Sequence, residues 1–255
     1  MPEQLRKLIE GYLDKYLDKY LLQLDCPQSK ALTQLAESIR YSLLSGGKRF
    51  LTVLSLAFSE AFGVNPLRIL PWAGAIEMVH TYSLIHDDLP SMDDDDFRRG
   101  KPTNHKIYGE ALALLAGDAL LTEAFGLIAE KYEKEPALVT RLIRLLSKSA
   151  GFCGMVGGQA MDLAAQSPQS QGFGPEELKT THELKTGALI RASVEGAAII
   201  CGLPESKNNI AKKFGSQLGL AFQLADDLLD YDPKNLEKGN FATLLGFEET
   251  KKWLS

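Results

Sequence analysis

The chain has 255 residues, of which 45% are hydrophobic and 24% are charged, and its formal net charge is −5. These proportions are those of an ordinary globular protein with a large core, and the acidic balance argues against a nucleic-acid partner. Three cysteines (Cys26, Cys153 and Cys201) lie far apart, which favours reduced thiols in a cytoplasmic protein over a disulfide framework or a zinc site. The charged N-terminus is unlike a signal peptide, and no apolar run reaches the roughly 20 residues of a membrane span.

Helical periodicity dominates the chain. Apolar residues recur at three- and four-residue steps over 2–24 and 29–44, which predicts two amphipathic helices. Residues 51–63 and 71–89 are apolar almost all round and predict buried helices. Further helical stretches follow at 109–132, 138–166, 175–202 and 208–232. Since the sequence has no alternating runs typical of strands, it predicts one all-α domain over residues 1–255, a large helical bundle around a central apolar cavity.

The second of the buried helices leads directly into an acidic segment, "HDDLPSMDDDDFRRG". Pro90 cannot continue the hydrogen-bond ladder of a helix, so we expect the helix to end near it. Extra residues in the turn would bring Asp93 or Asp94 back beside Asp87 and Asp88. A solvated acidic loop is the alternative, because most acidic runs are solvated. The lack of a spacer after the buried helix favours a metal site instead.

A second acidic group occurs in "FQLADDLLD", at the end of the last helical stretch. Asp226, Asp227 and Asp230 are three or four residues apart and share one helix face, where like charges destabilise a helix. The preceding residues are mostly apolar, so this face is expected to point inward, and buried carboxylates without a partner are costly. A divalent cation removes the conflict. Magnesium suits this role because it takes one or two carboxylates together with substrate phosphates.

Several cations occur in segments that suit anion binding. In "GGKR", Gly47 allows close backbone approach and Lys48 adds a point charge, although a surface turn with two cations is more common. In "ELKTG", Lys185 and Thr186 lie on a mostly apolar helix, where the lysine needs an anion or a route to solvent. The two arginines of "RRG" either neutralise nearby aspartates or bind phosphate. Together these features predict a substrate with a polyphosphate head and an apolar tail, with magnesium between carboxylates and phosphates.

On these residues the sequence resembles the trans-isoprenyl diphosphate synthases, most closely the bacterial short-chain farnesyl and geranylgeranyl diphosphate synthases. The resemblance extends from Leu32 to Leu245 and is carried by "SGGKR", "HTYSLIHDDLPSMDDDDFRRGKPTNH", "GEALALLAGDALL", "GGQAMDL", "HELKTGALIRAS" and "FQLADDLLD". Two aspartate-rich motifs in this order, with "RRG" after the first, are highly specific in combination. The resemblance implies the isoprenoid synthase fold, a homodimer and two or three magnesium ions. It also implies condensation of an allylic diphosphate with isopentenyl diphosphate to farnesyl diphosphate.

The resemblance further implies roles for individual residues. The expected magnesium ligands are Asp87, Asp88, Asp93, Asp226, Asp227 and Asp230. The expected ligands of isopentenyl diphosphate are Gly47, Lys48, His80 and Arg99, and those of the allylic diphosphate are Arg98, Lys185, Thr186 and Gln223. The residues expected to act in catalysis, with the metal, on the charge of the departing pyrophosphate are Asp87, Asp88, Asp93, Arg98, Lys185 and Asp226. No protein nucleophile is needed.

Two residues before the first aspartates bear on product length. Ser83 precedes Asp87 by one helical turn, and Tyr82 is its neighbour. In the family, a bulky residue just before the first aspartates blocks the growing chain, so Tyr82 favours a C15 product. The alternative is a core aromatic residue with no gating role.

The sequence departs from the family pattern in two regions. Leu51 takes the place of a second arginine that binds isopentenyl diphosphate in the family, and losing such a contact costs about 1.5–3 kcal/mol. After Asp230, a glycine- and lysine-bearing loop is missing, and Lys238 is its expected remnant in the substrate site. The chain also stops at Ser255, before the closing helices of relatives. Either the protein is naturally shortened, or residues exist beyond this sequence.

The leading prediction is an active farnesyl diphosphate synthase, with a geranylgeranyl diphosphate synthase or a non-catalytic synthase-like subunit as alternatives. Leu51 and the short C-terminal region motivate the subunit, whereas the two intact aspartate groups argue against it. A helical metal phosphohydrolase using His80, His86 and Asp87 would leave the second aspartate group unexplained. Terpene cyclases as a rule lack "GGKR" and a second "DDxxD".

Overall fold

The structure is a computed structural model that describes residues 2–22, 29–166, 174–234 and 240–254, with side chains described only to residue 18 in the first range. It is 79% helical, which confirms the all-α prediction. The chain divides into two compact units, Met1–Thr140 and Arg141–Ser255.

The first unit is built around one central buried helix. Its helices are α1 (Pro2–Leu22), α2 (Lys30–Leu43), α3 (Phe50–Ala61), α4 (Leu70–Asp87), α5 (Asn104–Tyr108) and α6 (Glu110–Lys131). Helix α4 is buried at nearly every position from Leu70 to Tyr82 and contacts α1, α2, α3 and α6. A helix that is apolar all round is stable only when it is surrounded in this way. Its C-terminus therefore delivers the first aspartates from the centre of the unit.

A small antiparallel hairpin follows the first aspartates. Strand β1 (Phe97–Arg98) pairs with β2 (Lys101–Pro102), with Arg98 opposite Lys101. Asn104 at the start of α5 ties the hairpin to α2, because its side-chain amide donates to the carbonyl of Ser38 and to the hydroxyl of Ser42. The sequence did not predict these two short strands, whose two residues each are too few to show an alternating pattern.

The second unit contains the remaining helices. The boundary falls within α7 (Pro136–Ala150), and the other helices are α8 (Met155–Gln166), α9 (Pro175–His182), α10 (Ala188–Ile200), α11 (Glu205–Leu229), α12 (Phe241–Leu245) and α13 (Phe247–Leu254). The prediction of one helical stretch over 138–166 is wrong, because the chain turns at residues 151–154 between α7 and α8. Two of these four residues are glycine, the poorest helix former after proline.

Helices α9 and α10 are joined without a break by a π-helical segment, Glu183–Gly187. This segment, "ELKTG", contains the predicted site residues Lys185 and Thr186. It packs against α8, α9, α10 and α11. A π-helical turn is rare and occurs often at functional sites, so this segment is a candidate part of the active site.

Candidate active site

The chain turns back on itself directly after α4. The backbone N–H of Asp93 donates to the carbonyl oxygen of Asp87 over 2.8 Å, and the N–H of Asp94 donates to the carbonyl of Leu89 over 3.1 Å. The turn around Pro90 thus brings the backbone of Asp93 beside that of Asp87, as the sequence predicted. Asp87 is partly exposed and Asp93 is exposed.

The middle carboxylate of this set is used differently. Asp88 is only 3% exposed, and its carboxylate accepts a hydrogen bond from Nε of Arg98. Nη2 of the same guanidinium donates to Asp95 over 3.0 Å. Burial raises the pKa of Asp88, against the opposing effect of Arg98. Arg98, predicted to bind the allylic diphosphate, therefore lies across the first aspartate segment and is held by two of its carboxylates.

Arg99 lies against the "GGKR" turn. Its guanidinium donates to the carbonyl of Gly46, and a Cβ on Gly47 would come within 2.7 Å of Cζ of Arg99. Gly47 also has φ +115°, a conformation that residues with a side chain rarely adopt. The glycine is thus required both for the turn and for the close approach of the arginine. Lys48 follows on the same turn and is exposed.

A buried ion pair that the sequence reasoning missed lies beneath this turn. Arg49 is buried, its Nη1 pairs with Glu77 of α4, and its Nη2 donates to the carbonyl of Leu43 over 2.7 Å. The signal was Glu77, an acid within the buried, mostly apolar part of α4. Because Arg49 is committed to Glu77, it does not replace the missing second arginine, and Leu51 at that position is buried.

His80 lies one turn after Glu77 on α4. Desolvation lowers its pKa, Glu77 acts in the opposite direction, and the nearby positive charges of Arg99, Arg49 and Arg98 lower it further. A neutral imidazole therefore stands among these cations. The structure thus brings together three of the predicted ligands of isopentenyl diphosphate, namely Gly47, His80 and Arg99.

The two residues predicted to set product length point to different neighbours. The ring of Tyr82 is buried and meets the ring of His86 edge-on, with 5.7 Å between centroids. Burial and the charge of Asp87 raise the pKa of Tyr82 to about 12. The hydroxyl of Ser83 donates to the carbonyl of His80 over 2.9 Å. The ring of His86 contacts the Leu114 carbonyl of α6 over 3.0 Å. Tyr82, which packs against His86, therefore lies on the side of α4 that faces α6.

In the second unit, the π-helical segment holds its lysine with a carboxylate from α8. Nζ of Lys185 lies 2.5 Å from Oδ2 of Asp162, and both side chains are partly buried. A Cβ on Gly158 would come within 2.1 Å of the backbone nitrogen of Lys185, so only glycine allows α8 to lie this close. Sequence reasoning quoted "GGQAMDL" but assigned no role to Asp162. A lone acid at the end of an apolar stretch was the available signal.

The second aspartate group lies at the C-terminus of α11. Asp226 is partly exposed, Asp230 is exposed, and Asp227 is only 5% exposed. Oδ1 of Asp227 accepts a hydrogen bond from the side-chain amide of Gln223 over 3.0 Å, and Oδ2 accepts one from the backbone N–H of Phe241 over 2.8 Å. The predicted site residue Lys238 lies outside the described residues.

The aspartates fit magnesium by the chemistry of their donor atoms, since carboxylate oxygens are its preferred protein ligands. Among the described residues, no three carboxylates, imidazoles or thiols are grouped closely enough to hold an ion by themselves. This does not conflict with a magnesium site, because magnesium is commonly held by one or two carboxylates together with phosphates of the substrate.

Comparison with known proteins identifies the family to which these motifs belong. A family model described as polyprenyl synthetase matches residues 32–242, which include both aspartate groups and the π-helical segment. The chain belongs to the polyprenyl synthetase family.

The chain is similar to farnesyl diphosphate synthase of Geobacillus stearothermophilus, with 49% identity over 201 residues, 78% of this chain and 67% of that protein. It is 48% identical over 199 residues to geranylgeranyl diphosphate synthase of Cyanophora paradoxa, covering 78% of this chain and 66% of that protein. The chain thus spans about two thirds of the length of these relatives. The apo FPP/GFPP synthase structure from Zymomonas mobilis matches 100% of this chain and 89% of its own, with TM-score 0.86 and 38% identity. The predicted isoprenoid synthase fold is therefore confirmed.

Proposed function

We propose that the protein is a short-chain prenyltransferase that condenses isopentenyl diphosphate with dimethylallyl or geranyl diphosphate to form farnesyl diphosphate. The observation that carries this proposal is that each unit holds a cation on a carboxylate near one of the aspartate groups. In the first unit, Asp88 and Asp95 hold Arg98 within the first group. In the second, Asp162 holds Lys185 on the π-helical segment, which packs against α11, the helix that carries the second group. We further propose that residues 1–255 form one synthase domain.

In the proposed reaction, the C1–O bond of the allylic substrate breaks and pyrophosphate departs. The double bond of isopentenyl diphosphate attacks C1 and forms the new carbon–carbon bond, and the C2 proton leaves to the pyrophosphate. Two or three magnesium ions would supply Lewis-acid stabilisation of the departing charge. We propose four carboxylates as direct ligands, namely Asp87, Asp93, Asp226 and Asp230.

The remaining groups position the two diphosphates. Arg98, Lys185, Thr186 and Gln223 are the proposed ligands of the allylic diphosphate. Asp88 and Asp162 hold the arginine and the lysine in place, so these cations need not reorganise as charge develops on the leaving group. Gly47, Lys48, His80 and Arg99 are proposed for isopentenyl diphosphate, and a neutral His80 donates to an anion without adding charge. Lys238 is proposed as a further contact.

We propose farnesyl diphosphate as the main product because the ring of Tyr82 is buried next to Ser83, which precedes Asp87 by one helical turn. Geranylgeranyl diphosphate is the second candidate, because a synthase of that name is nearly as similar in sequence. The Tyr82→Ala variant tests whether Tyr82 limits product length. If Tyr82 blocks the growing chain, the variant makes longer products from the same substrates. If Tyr82 is only a core aromatic residue, the variant makes the same product and is less stable.

A homodimer is proposed through α6, with a second copy of this chain as the occupant of its exposed side. Leu114 and Leu115 are each nearly half exposed. Helix α6 is also long and apolar enough to cross a membrane, but core helices of water-soluble proteins have the same length and composition. We accordingly propose a cytoplasmic protein. A Leu114→Glu, Leu115→Glu variant is expected to be monomeric by light scattering, and an unchanged mass would contradict this interface.

The test of the function is product analysis with pure protein, magnesium and isopentenyl diphosphate. Dimethylallyl, geranyl and farnesyl diphosphates serve as separate starters. Magnesium-dependent formation of a C15 product from the first two starters supports the proposal. Extension of farnesyl diphosphate to C20 would indicate the geranylgeranyl synthase. No turnover by the pure chain, restored by a partner chain, would indicate the non-catalytic subunit, which Leu51 had suggested.

A further inference from the structure

We infer that Asp227 is a positioning residue and not a magnesium ligand. It holds the C-terminal segment Asn240–Leu254 on α11 and fixes the orientation of Gln223. This inference rests on the proposed function for its kinetic consequences, but the anchoring itself is a property of the folded chain. It changes the role expected from the second aspartate motif for one of its three members.

The first reason is that both carboxylate oxygens of Asp227 already have partners within the protein. Oδ2 accepts the backbone N–H of Phe241 and Oδ1 accepts the amide of Gln223, at 2.8 and 3.0 Å. Its backbone carbonyl accepts a third bond, from Nδ2 of Asn240 at 2.8 Å. A buried carboxylate is costly unless it is hydrogen-bonded in this way. The partners of Asp227 thus account for its burial without a cation.

The second reason is what these bonds hold. Phe241 is the first residue of α12, so its N–H has no acceptor within that helix, and Asp227 supplies one. Asn240 caps the same helix, because its side-chain oxygen accepts the N–H of Thr243 over 3.1 Å. Residues 240 and 241 are therefore both tied to residue 227, across 13 and 14 positions of sequence.

The anchored segment is packed where the bonds place it. Phe241 is fully buried and forms a core cluster with Leu178 and Leu224. Its ring lies 5.2 Å from that of His182 and 6.0 Å from that of Trp253 of α13, measured between centroids. Thus α12 and α13, the last helices of this chain, depend on a contact made by the second aspartate motif.

The third reason concerns Gln223, a proposed ligand of the allylic diphosphate. A carboxylate can only accept hydrogen bonds, so the side chain of Gln223 must turn its NH₂ group towards Asp227. Its carbonyl oxygen then points to the opposite side. Asp227 thereby selects one of two orientations of the amide, which is a role that an amide-bearing substitute would reverse.

The experiment compares Asp227→Asn, Asp227→Ala and Asp226→Asn by two measurements. The first is hydrogen exchange of residues 240–254 in the absence of substrate. The second is steady-state kinetics, giving the magnesium concentration for half-maximal rate and the KM for the allylic substrate. Asp232→Asn, at an exposed carboxylate of the same region, is the matched control and is expected to match wild type in both.

Asp227→Asn keeps an acceptor for Phe241, so we expect exchange within about threefold of wild type and a magnesium requirement within about twofold. Because Gln223 must now present its oxygen to the asparagine NH₂, the allylic KM is expected to rise about three- to tenfold. Asp227→Ala is expected to speed exchange of residues 240–254 at least tenfold. Asp226→Asn is expected to raise the magnesium requirement at least tenfold with exchange unchanged.

A tenfold rise in the magnesium requirement of Asp227→Asn with normal exchange would overturn the inference. Unchanged exchange in Asp227→Ala would overturn it equally. If that variant does not fold, Asn240→Ala replaces it, with the same expected increase in exchange. Should the protein lack prenyltransferase activity, the exchange measurements still decide the anchoring, so failure of the proposed function is distinguishable from failure of this inference.

Discussion

In the first aspartate-rich segment the helix ends at Asp87 and the chain turns back, whereas in the second the helix continues through Asp226 and Asp227 to Leu229. The exposure pattern is nevertheless the same. Asp87 and Asp226 are partly exposed, Asp88 and Asp227 are buried, and Asp93 and Asp230 are exposed. The buried member in each case bonds to the protein, to Arg98 in one and to the Phe241 backbone in the other.

An aspartate-rich motif in this protein is therefore not a set of equivalent metal ligands. One buried carboxylate of each trio forms hydrogen bonds within the protein. Asp88 holds the Arg98 side chain in the first unit, and Asp227 holds the start of α12 in the second. The other members of each trio are the proposed magnesium ligands. Substitutions within one trio are therefore expected to have different effects. Those at the proposed magnesium ligands should lower turnover, whereas those at the buried aspartate should lower stability or local order.

The largest effect is expected from the first, partly exposed member of each trio. Asp87→Asn and Asp226→Asn are each expected to lower kcat for farnesyl diphosphate formation by about 10³, since each removes charge that would bind the metal at the leaving group. The free energy of unfolding should change by less than about 1 kcal/mol, because neither side chain is fully buried. Product assays measure kcat, and urea denaturation measures the free energy of unfolding. Near-normal turnover in either variant would contradict the proposed metal role at that residue.

The sequence alone predicted the position of these residues but not their division of labour. Pro90 and the buried helix before it were sufficient to predict the turn at Asp93, because proline stops a helix for local steric reasons. The bonds of Asp227 to residues 240 and 241 could not be predicted. They depend on tertiary packing of Phe241, which three- and four-residue periodicity does not encode.

The π-helical segment was also beyond sequence reasoning. "ELKTG" fits a continuous helical stretch, and the π-helical turn lies where Gly158 of α8 closely approaches the Lys185 backbone. Likewise Asp162 became a candidate only when the structure placed it against Lys185. Local patterns predicted the elements, whereas pairwise contacts between distant segments set the roles.

Two glycines allow close contacts beside the cations of the two units, Gly158 at Lys185 and Gly47 at Arg99. Gly158→Ala is expected to cost about 3 kcal/mol in the free energy of unfolding, because its Cβ would meet backbone that cannot move aside. Gly47→Ala is expected to cost about 1–2 kcal/mol, mainly from its φ, since the guanidinium of Arg99 can shift. Urea denaturation measures both, and Gly11→Ala, with open space at its Cβ, is the control. A larger loss at Gly47 than at Gly158 would contradict the ranking.

The buried member of the first trio gives an intermediate effect. Asp88→Ala is expected to lower the free energy of unfolding by about 2 kcal/mol, because it leaves Arg98 without its buried acceptor. Asp95→Ala, which removes the exposed partner of the same guanidinium, should cost less than about 1 kcal/mol. Equal losses in the two variants, measured by urea denaturation, would mean that burial of Asp88 is not what holds the arginine.

The smallest effect is expected from pH, at His80. Its pKa is lowered in the folded protein by desolvation and by Arg99, Arg49 and Arg98, with Glu77 opposing. A lowered pKa means that the unfolded chain binds the proton more readily. The stabilisation by neutral His80 is therefore complete above the unfolded pKa near 6.5 and is lost as pH falls below it, by at most about 1.4 kcal/mol per pH unit.

The measurement for His80 is the difference in unfolding free energy between wild type and His80→Gln at pH 8, 7, 6 and 5.5. The substitution removes the titrating group, so titrations shared by both proteins cancel in the difference. We expect a constant value above pH 7 and a decline in the relative stability of wild type below pH 6.5. A difference that grows on acidification would mean that Glu77 outweighs the three arginines. The imidazole of His80 would then be charged in the folded protein. It would form part of an ion-pair network with Glu77 and would not be a neutral donor among the three arginines.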